Sequence, residues 1–314
     1  PCPAWRILAI TFTNKAAGEL KERLKRMLGE EGEEVAASTF HSFCARLLRR
    51  EVEYLGYSRH FTIYDTDDSR RLMKLCMKEL GIEEKVIGHK AILGEISRAK
   101  DALTTCEEYA ATYANGADIR LRKVAKAYTL YQKKLREADA MDFDDLLVRT
   151  VELFQQHPDV LARYQDRYRY LMVDEYQDTN HAQYRLVSLL AAKSSNLCVV
   201  GDDDQSIYKF RGATIENILG FEEEFSGCRV IRLEQNYRST KRILEAANRV
   251  IEKNLGRKGK TLWTDNPQGD RLQVVIANSA EDEARHIADT ILNGVATGAH
   301  FSDYAVLYRA NAQS

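Results

Sequence analysis

With 314 residues, 44% of them hydrophobic and 30% charged, the chain has the composition of a soluble globular protein long enough for two domains, each with its own core. No stretch nears the ~20 uninterrupted apolar residues of a spanning helix, and Pro1-Cys2-Pro3-Ala4-Trp5 resembles no secretory signal. The net charge of −1 confines any nucleic-acid surface to a local patch, and six dispersed cysteines without a C-x-x-C pair argue against a zinc site or disulfide framework and for a reducing cytoplasm.

In chain order, Arg6 to Ile10 reads as a strand, followed by the polar turn Thr11-Phe12-Thr13-Asn14. A helix starts near Lys15, with Ala16, Ala17, Leu20, Leu24, Met27 and Leu28 at helical spacing. From about 66 to 165 the pattern is almost wholly helical, punctuated by Gly81, Gly88 and Gly116. Inside this block Arg120, Arg122, Lys123, Lys126, Lys133, Lys134 and Arg136 follow one another with no acid among them. That run is either a solvated helix face or a phosphate-contacting one. Met141-Asp142-Phe143-Asp144-Asp145 reads as a helix start capped by Asp142 or Asp144 rather than as a metal site. Strand signals return at 170–173, 197–200 and 230–233, so the helical block lies inside one α/β domain. A helix from Lys241 to about Leu255 follows, with Ser239 or Thr240 as N-cap, then a turn at Pro267-Gln268-Gly269-Asp270. A strand at 272–277, a helix near 280–293 and a strand at 304–308 read as the beginning of a second α/β domain.

Three clusters carry chemistry. Tyr170-Leu171-Met172-Val173 reads as a buried strand, which brings Asp174 and Glu175 out at its carboxyl end, where open α/β sheets place their ligands. Two adjacent carboxylates there suit Mg²⁺-nucleotide chemistry, one holding the metal and the other orienting or deprotonating a water. The second cluster, Gly201-Asp202-Asp203-Asp204-Gln205 to Phe210-Arg211-Gly212, also follows a strand. Gln205 suits a sensor of the γ-phosphate, and Phe210 beside Arg211 pairs a stacking face with a phosphate-binding cation. The bland alternative makes Phe210 core and the aspartates turn formers. The third cluster is Leu233-Glu234-Gln235-Asn236-Tyr237-Arg238-Ser239-Thr240, read as leaving a third strand of the same sheet. There Tyr237 could stack on a purine and Arg238 could act as an arginine finger; alone, the two would be a surface pair.

In order and spacing these clusters resemble motifs II, III and IV of superfamily 1 DNA helicases of the UvrD/PcrA/Rep type, nearest to PcrA-like members. Ile10 to Ala17 resembles motif Ia, Ser38 to Phe43 motif Ib, and Ala305 to Ser314 a stretch early in the second motor domain. The resemblance implies an α/β fold: a RecA-like parallel-sheet domain at 1–65 and 138–240, a helical insertion at 66–137, and a partial second RecA-like domain at 241–314. It implies ATP and Mg²⁺, with Asp174 on the metal, Glu175 activating the water, Gln205 coupling the γ-phosphate to the DNA track, Tyr237 on adenine and Arg238 as the finger. It also implies that Phe12, Asn14, Thr39, His41, Phe210 and Arg211 contact single-stranded DNA, with duplex junctions as a further substrate. A core or capping role is the plain alternative for His41. Phe210 stands where the family commonly has tryptophan, so stacking there should be weaker.

One departure matters more. A phosphate loop reads G-x-x-x-x-G-K-[ST] between a strand and a helix. Gly259-Lys260-Thr261 offers such an ending, but Asn254 occupies the first glycine position and an amphipathic helix precedes it. The resemblance places the true loop upstream of Pro1 and further motifs beyond Ser314. The chain is thus expected to be the central part of an ATP-dependent 3′–5′ helicase, inactive in hydrolysis by itself. The rivals are a non-catalytic single-stranded-DNA-binding remnant and a metal-dependent nuclease using Asp174, Glu175 and the aspartates at 202–204.

Overall fold

The apolar run Ile7–Thr11 (β1) forms an inner strand of a four-stranded sheet, with Ala36–Thr39 (β2) on one side and Tyr170–Val173 (β5) then Leu197–Val199 (β6) on the other. The computed structural model describes residues 2–207, 212–225, 227–254 and 259–308. They divide into two units, the first running to Ile231 and including Gly259, the second comprising the described residues from Arg232 on apart from Gly259.

In the first unit all three pairings of the sheet are parallel, with Thr11 opposite Thr39, Ile10 opposite Val173, and Val173 opposite Val199. This register brings the segments after β1, β2, β5 and β6 out along one carboxyl edge. Crossover helices cover a parallel sheet on its faces. Here α1 (Asn14–Leu28) is capped by Thr13, whose hydroxyl accepts the Ala16 N–H at 3.1 Å. The next, α2 (Phe40–Glu51), is capped by Thr39 from the Ser42 N–H. Leu8, Ile10, Phe40, Phe43, Leu47, Leu171 and Val173 meet in one core with Leu186 and Leu190. Each such side chain stabilises by about 1.5–3 kcal/mol when taken from water.

Between the short strands Thr62–Ile63 (β3) and Ala140–Met141 (β4), which pair in parallel, lies the helical block. Its helices are α3 (Thr66–Glu79), α4 (His89–Asp101), α5 (Cys106–Tyr113) and α6 (Ile119–Glu137). They enclose a core of their own around Met73, Ile92, Ile96, Val124, Tyr131 and Leu135. Part of the basic run on α6 serves structure: Lys134 pairs with Glu79 at 2.7 Å, and Arg136 donates to the carbonyls of Leu55 and Gly56 while lying over the Tyr57 ring. After β4 come α7 (Phe143–Gln156), α8 (Pro158–Arg167) and, past β5, α9 (His181–Ala191). Of the two expected candidates, Asp142 and Asp144, it is Asp142 that caps α7, in a reciprocal box with Asp145. Two short helices, α10 (Glu216–Leu219) and α11 (Phe221–Glu224), close the unit.

In the second unit α12 (Lys241–Ile251) and α13 (Ala280–Ala296) form where helices are expected. Thr240 is the N-cap of α12, but the helix's first donors go to the carbonyls of Pro267 and Gln268, not to its hydroxyl. The expected strands at 230–233, 272–277 and 304–308 are absent among the described residues. Their β-branched runs express a preference for a pleated, half-buried surface, and a strand also needs a ladder partner. Among the described residues no strand ladder forms at these runs, and Ile231, Val274, Ile276 and Leu307 are exposed. Among the described residues no strand immediately precedes the third cluster, and Gln235 makes an isolated bridge to Trp263. Among the described residues no helix is long and apolar enough to cross a membrane.

Candidate functional site

The register of β1 and β5 continues for one more bond, the Asp174 N–H donating to the Ile10 carbonyl at 3.0 Å, and then the chain turns sharply. Glu175 has φ 52° and ψ 41°, the left-handed region that a side chain with a Cβ seldom adopts. The turn is held from both sides. Asp174 Oδ1 accepts the Glu175 N–H at 3.0 Å, and the Glu175 carbonyl accepts the Asp178 N–H. Both acidic side chains stay exposed while Tyr176 and Gln177 are driven inward. Backbone strain of this kind clusters at functional sites.

The loop after β6 lies beside this turn, as expected from adjacent parallel strands. The Tyr176 N–H donates to the Val200 carbonyl at 2.9 Å, and the Asp202 N–H donates to Gln177 Oε1 at 2.9 Å. Asp202 in turn accepts Gln205 Nε2 at 2.7 Å and the Asp204 N–H at 3.0 Å. Asp174, Glu175 and Gln205 are thus gathered at one edge. Gln177, which no sequence pattern singles out, joins them: its Nε2 donates to Glu175 Oε2 at 2.7 Å. Asp174 offers exposed, hard carboxylate oxygen, a donor set that fits Mg²⁺.

Phe12 and Asn14 follow β1, Thr39 ends β2 and His41 follows it, so all four lie along the same carboxyl edge. Asn14 is exposed, while Phe12 is half-buried edge-on against Phe40 at 5.5 Å between centroids. Thr39 is buried and occupied as the cap of α2. The His41 ring stacks on Phe143 at 4.0 Å, and burial pushes its pKa down to about 4. At neutral pH it is an uncharged ring, able to stack or exchange one hydrogen bond but not to neutralise a phosphate. Phe210 and Arg211 lie outside the described residues.

In the second unit, Asn236 Oδ1 accepts the N–H groups of Arg238 and Ser239 and fixes the turn into α12. Tyr237 is 79% exposed, and its hydroxyl is tied to Gln235 Oε1 at 2.8 Å, which presents a held aromatic face to solvent. Gly259-Lys260-Thr261 leads into the extended segment that bridges Gln235, with no helix after it. Residues 255–258 of that candidate phosphate loop lie outside the described residues.

One link reaches this edge from the helical block. Asp101, the last residue of α4, accepts from Asn180 Nδ2, and Asn180 caps α9 directly after the acidic turn. A Cβ on Gly212, whose φ is +81°, would lie 2.7 Å from Asp101 Oδ2, so the carboxyl is wedged against backbone. Burial, with the charge of Asp144 added, raises the Asp101 pKa from 3.8 to about 7. The folded chain then holds a proton that the unfolded chain releases. The group's contribution to stability is complete below pH 3.8 and is lost as pH rises through about 7. Asp101→Asn keeps an acceptor for Asn180 and removes the ionisation. It is expected to stabilise the chain at pH 8 by about 1–2 kcal/mol, below a linkage ceiling of roughly 4, and to be near neutral at about pH 4. Thermal melting across that range checks it.

Comparison with known proteins gives this edge a family. Residues 2–226 match the model of the UvrD/REP helicase N-terminal domain, and residues 231–314 that of the UvrD-like helicase C-terminal domain. The chain is 49% identical over 310 residues to the ATP-dependent DNA helicase PcrA of Staphylococcus epidermidis, and 49% identical over 311 residues to that of Bacillus subtilis. The PcrA of Staphylococcus aureus is 47% identical over 310 residues. Each of these alignments covers 99% of this chain and 42% of the relative, so the chain spans about two-fifths of the length of the proteins it matches. With both models matched in sequence order, the chain belongs to the UvrD/REP helicase family.

Proposed function

We propose that the chain is the central part of an ATP-dependent 3′–5′ DNA helicase that couples ATP hydrolysis to movement along single-stranded DNA. The observation that carries this reading is the shared carboxyl edge of one parallel sheet. The acidic turn after β5, the Gln205 loop after β6 and the segments after β1 and β2 all leave it. Nucleotide chemistry and a DNA track are thereby given one rigid support.

In this reading Glu175 orients and deprotonates the attacking water, its carboxylate held by Gln177. Asp174 would hold Mg²⁺, which when bound neutralises phosphate charge and aligns the phosphate oxygens. Gln205 hydrogen-bonds the γ-phosphate and exchanges its bond to Asp202 as that phosphate comes and goes. Tyr237 stacks on adenine, and Arg238 meets charge developing on the transferred phosphoryl group. Phe12, Asn14 and His41 contact the strand, and Thr39 acts through the start of α2. Phe210 and Arg211 complete the grip by stacking and phosphate contact.

The same reading makes the 314-residue chain by itself a poor ATPase, because no lysine-bearing phosphate loop lies within it. The isolated chain is expected to bind single-stranded DNA weakly, with affinity falling steeply as salt rises, and to release no phosphate above background. Fluorescence anisotropy with a labelled oligonucleotide and a phosphate-release assay test both points. Steady turnover by the isolated chain that Glu175→Gln abolishes would contradict the second.

A further inference from the structure

Gln177 is 1% exposed and uses both ends of its amide at the acidic edge. Its Nε2 donates to the Glu175 carboxylate at 2.7 Å, and its Oε1 accepts the Asp202 N–H at 2.9 Å, from a residue 25 positions along the chain. These partners fix the amide orientation, since a carboxylate only accepts and a backbone N–H only donates. Gly201 leaves no slack around it: a Cβ there would lie 2.6 Å from Gln177 Oε1 and 2.8 Å from Ile218 Cδ1. On the far side of Asp202 its carboxylate accepts Gln205 Nε2 at 2.7 Å. The contacts form one line, from the Glu175 carboxylate through the Gln177 amide to the Asp202 backbone, whose own carboxylate holds Gln205.

We propose that Gln177 is a positioning residue that holds the Glu175 carboxylate and transmits to it the state of the Gln205 loop. The inference rests on the reading above, in which Glu175 activates water and Gln205 senses the γ-phosphate. When Gln205 exchanges its bond from Asp202 to a phosphate oxygen, the Asp202 backbone is the element whose N–H grips the Gln177 carbonyl. The amide is rigidly planar, so a shift at Oε1 is delivered to Nε2 and hence to Glu175. An amide suits this place because its two ends have opposite polarity and no charge. A carboxylate at 177 would repel Glu175, and an apolar side chain would hold neither partner.

The test uses the intact protein of which this chain is the central part, with DNA-stimulated ATP turnover and thermal melting measured together. Gln177→Glu and Gln177→Met are expected to lower kcat by about 10- to 100-fold, the usual cost of losing a hydrogen bond that orients a catalytic group. KM for ATP should stay within about twofold, because the nucleotide contacts are untouched. Gly201→Ala, which crowds Oε1 without altering Gln177, should reproduce the kcat loss and decides the matter if the Gln177 variants fail to fold. A kcat within about twofold of wild type in these variants overturns the proposal. So does a joint collapse of kcat, KM and melting temperature in Gly201→Ala, which marks a merely structural amide. Wild-type turnover indifferent to Glu175→Gln removes the reading beneath it, and that outcome is distinct from a Gln177 failure.

Discussion

Replacing Lys100 with methionine is expected to lower the stability of the first unit by about 3–5 kcal/mol, the cost of leaving buried charge without its partner. Lys100 is 1% exposed, near the end of α4, and its Nζ lies 2.7 Å from Asp142 and 2.9 Å from Asp145. Both carboxylates have further donors: Tyr131 Oη on Asp142 at 3.1 Å, and Gln132 Nε2 on Asp145 at 3.0 Å. Burial and the neighbouring Asp145 push Asp142 up to about 6, while Lys100 and Arg149 overcome burial and hold Asp145 below its ordinary value. Burial alone would lower the lysine, but the two carboxylates hold it above its usual range. Removing the cation strands two buried acids on the cap of α7. Their protonation in the folded state should recover part of the loss as pH falls to about 5. Adding Asp142→Asn and Asp145→Asn to Lys100→Met should restore most of the stability, since asparagine still caps a helix and no charge remains. Denaturant melts of the three chains decide it; equal stability of Lys100→Met and wild type would show that the triad contributes nothing net.

The second large effect is catalytic. In the intact protein, Glu175→Gln is expected to lower kcat by about 10²–10⁴-fold, the range for removing a general base. Nucleotide affinity should be nearly unchanged. The substituted amide can still accept from Gln177 Nε2, so the turn after β5 keeps its geometry while losing the carboxylate proposed to take the proton. Single-turnover phosphate release together with equilibrium binding of a fluorescent nucleotide separates the two effects. A parallel loss of binding and turnover would give Glu175 a structural or metal-holding part instead.

What the sequence disclosed and withheld follows from the range of the forces involved. The acidic turn was legible because an apolar run and two carboxylates are contiguous, and the strand lies where the pattern puts it. A helix start capped by Asp142 or Asp144 was legible because a cap and its first turn are contiguous, and the structure makes Asp142 the cap. The strand Ala36–Thr39 was not: its small residues carry no β pattern, and it exists because β1 offers a ladder and Thr39 caps α2. Overreading occurred at 230–233, 272–277 and 304–308, where composition spoke for strands and no partner pairs with them among the described residues. Gln177 and Lys100 were invisible for a common reason: their partners lie 25 and 42 residues away, and only the fold brings them together. His41 was the ambiguous case, and the structure gives it a stacked, uncharged ring that suits either a packing role or contact with a base.

The proposed part of the acidic edge in movement on DNA is tested most directly by strand displacement with the intact protein on two partial duplexes, one with a 3′ single-stranded tail and one with a 5′ tail. ATP-dependent displacement of the 3′-tailed duplex, little of the 5′-tailed one, and loss of both displacement and turnover in Glu175→Gln is the predicted result. Displacement indifferent to ATP, or Mg²⁺-dependent cleavage of the strands without nucleotide, would contradict it and make the carboxylates at 174–175 and 202–204 something other than part of a motor.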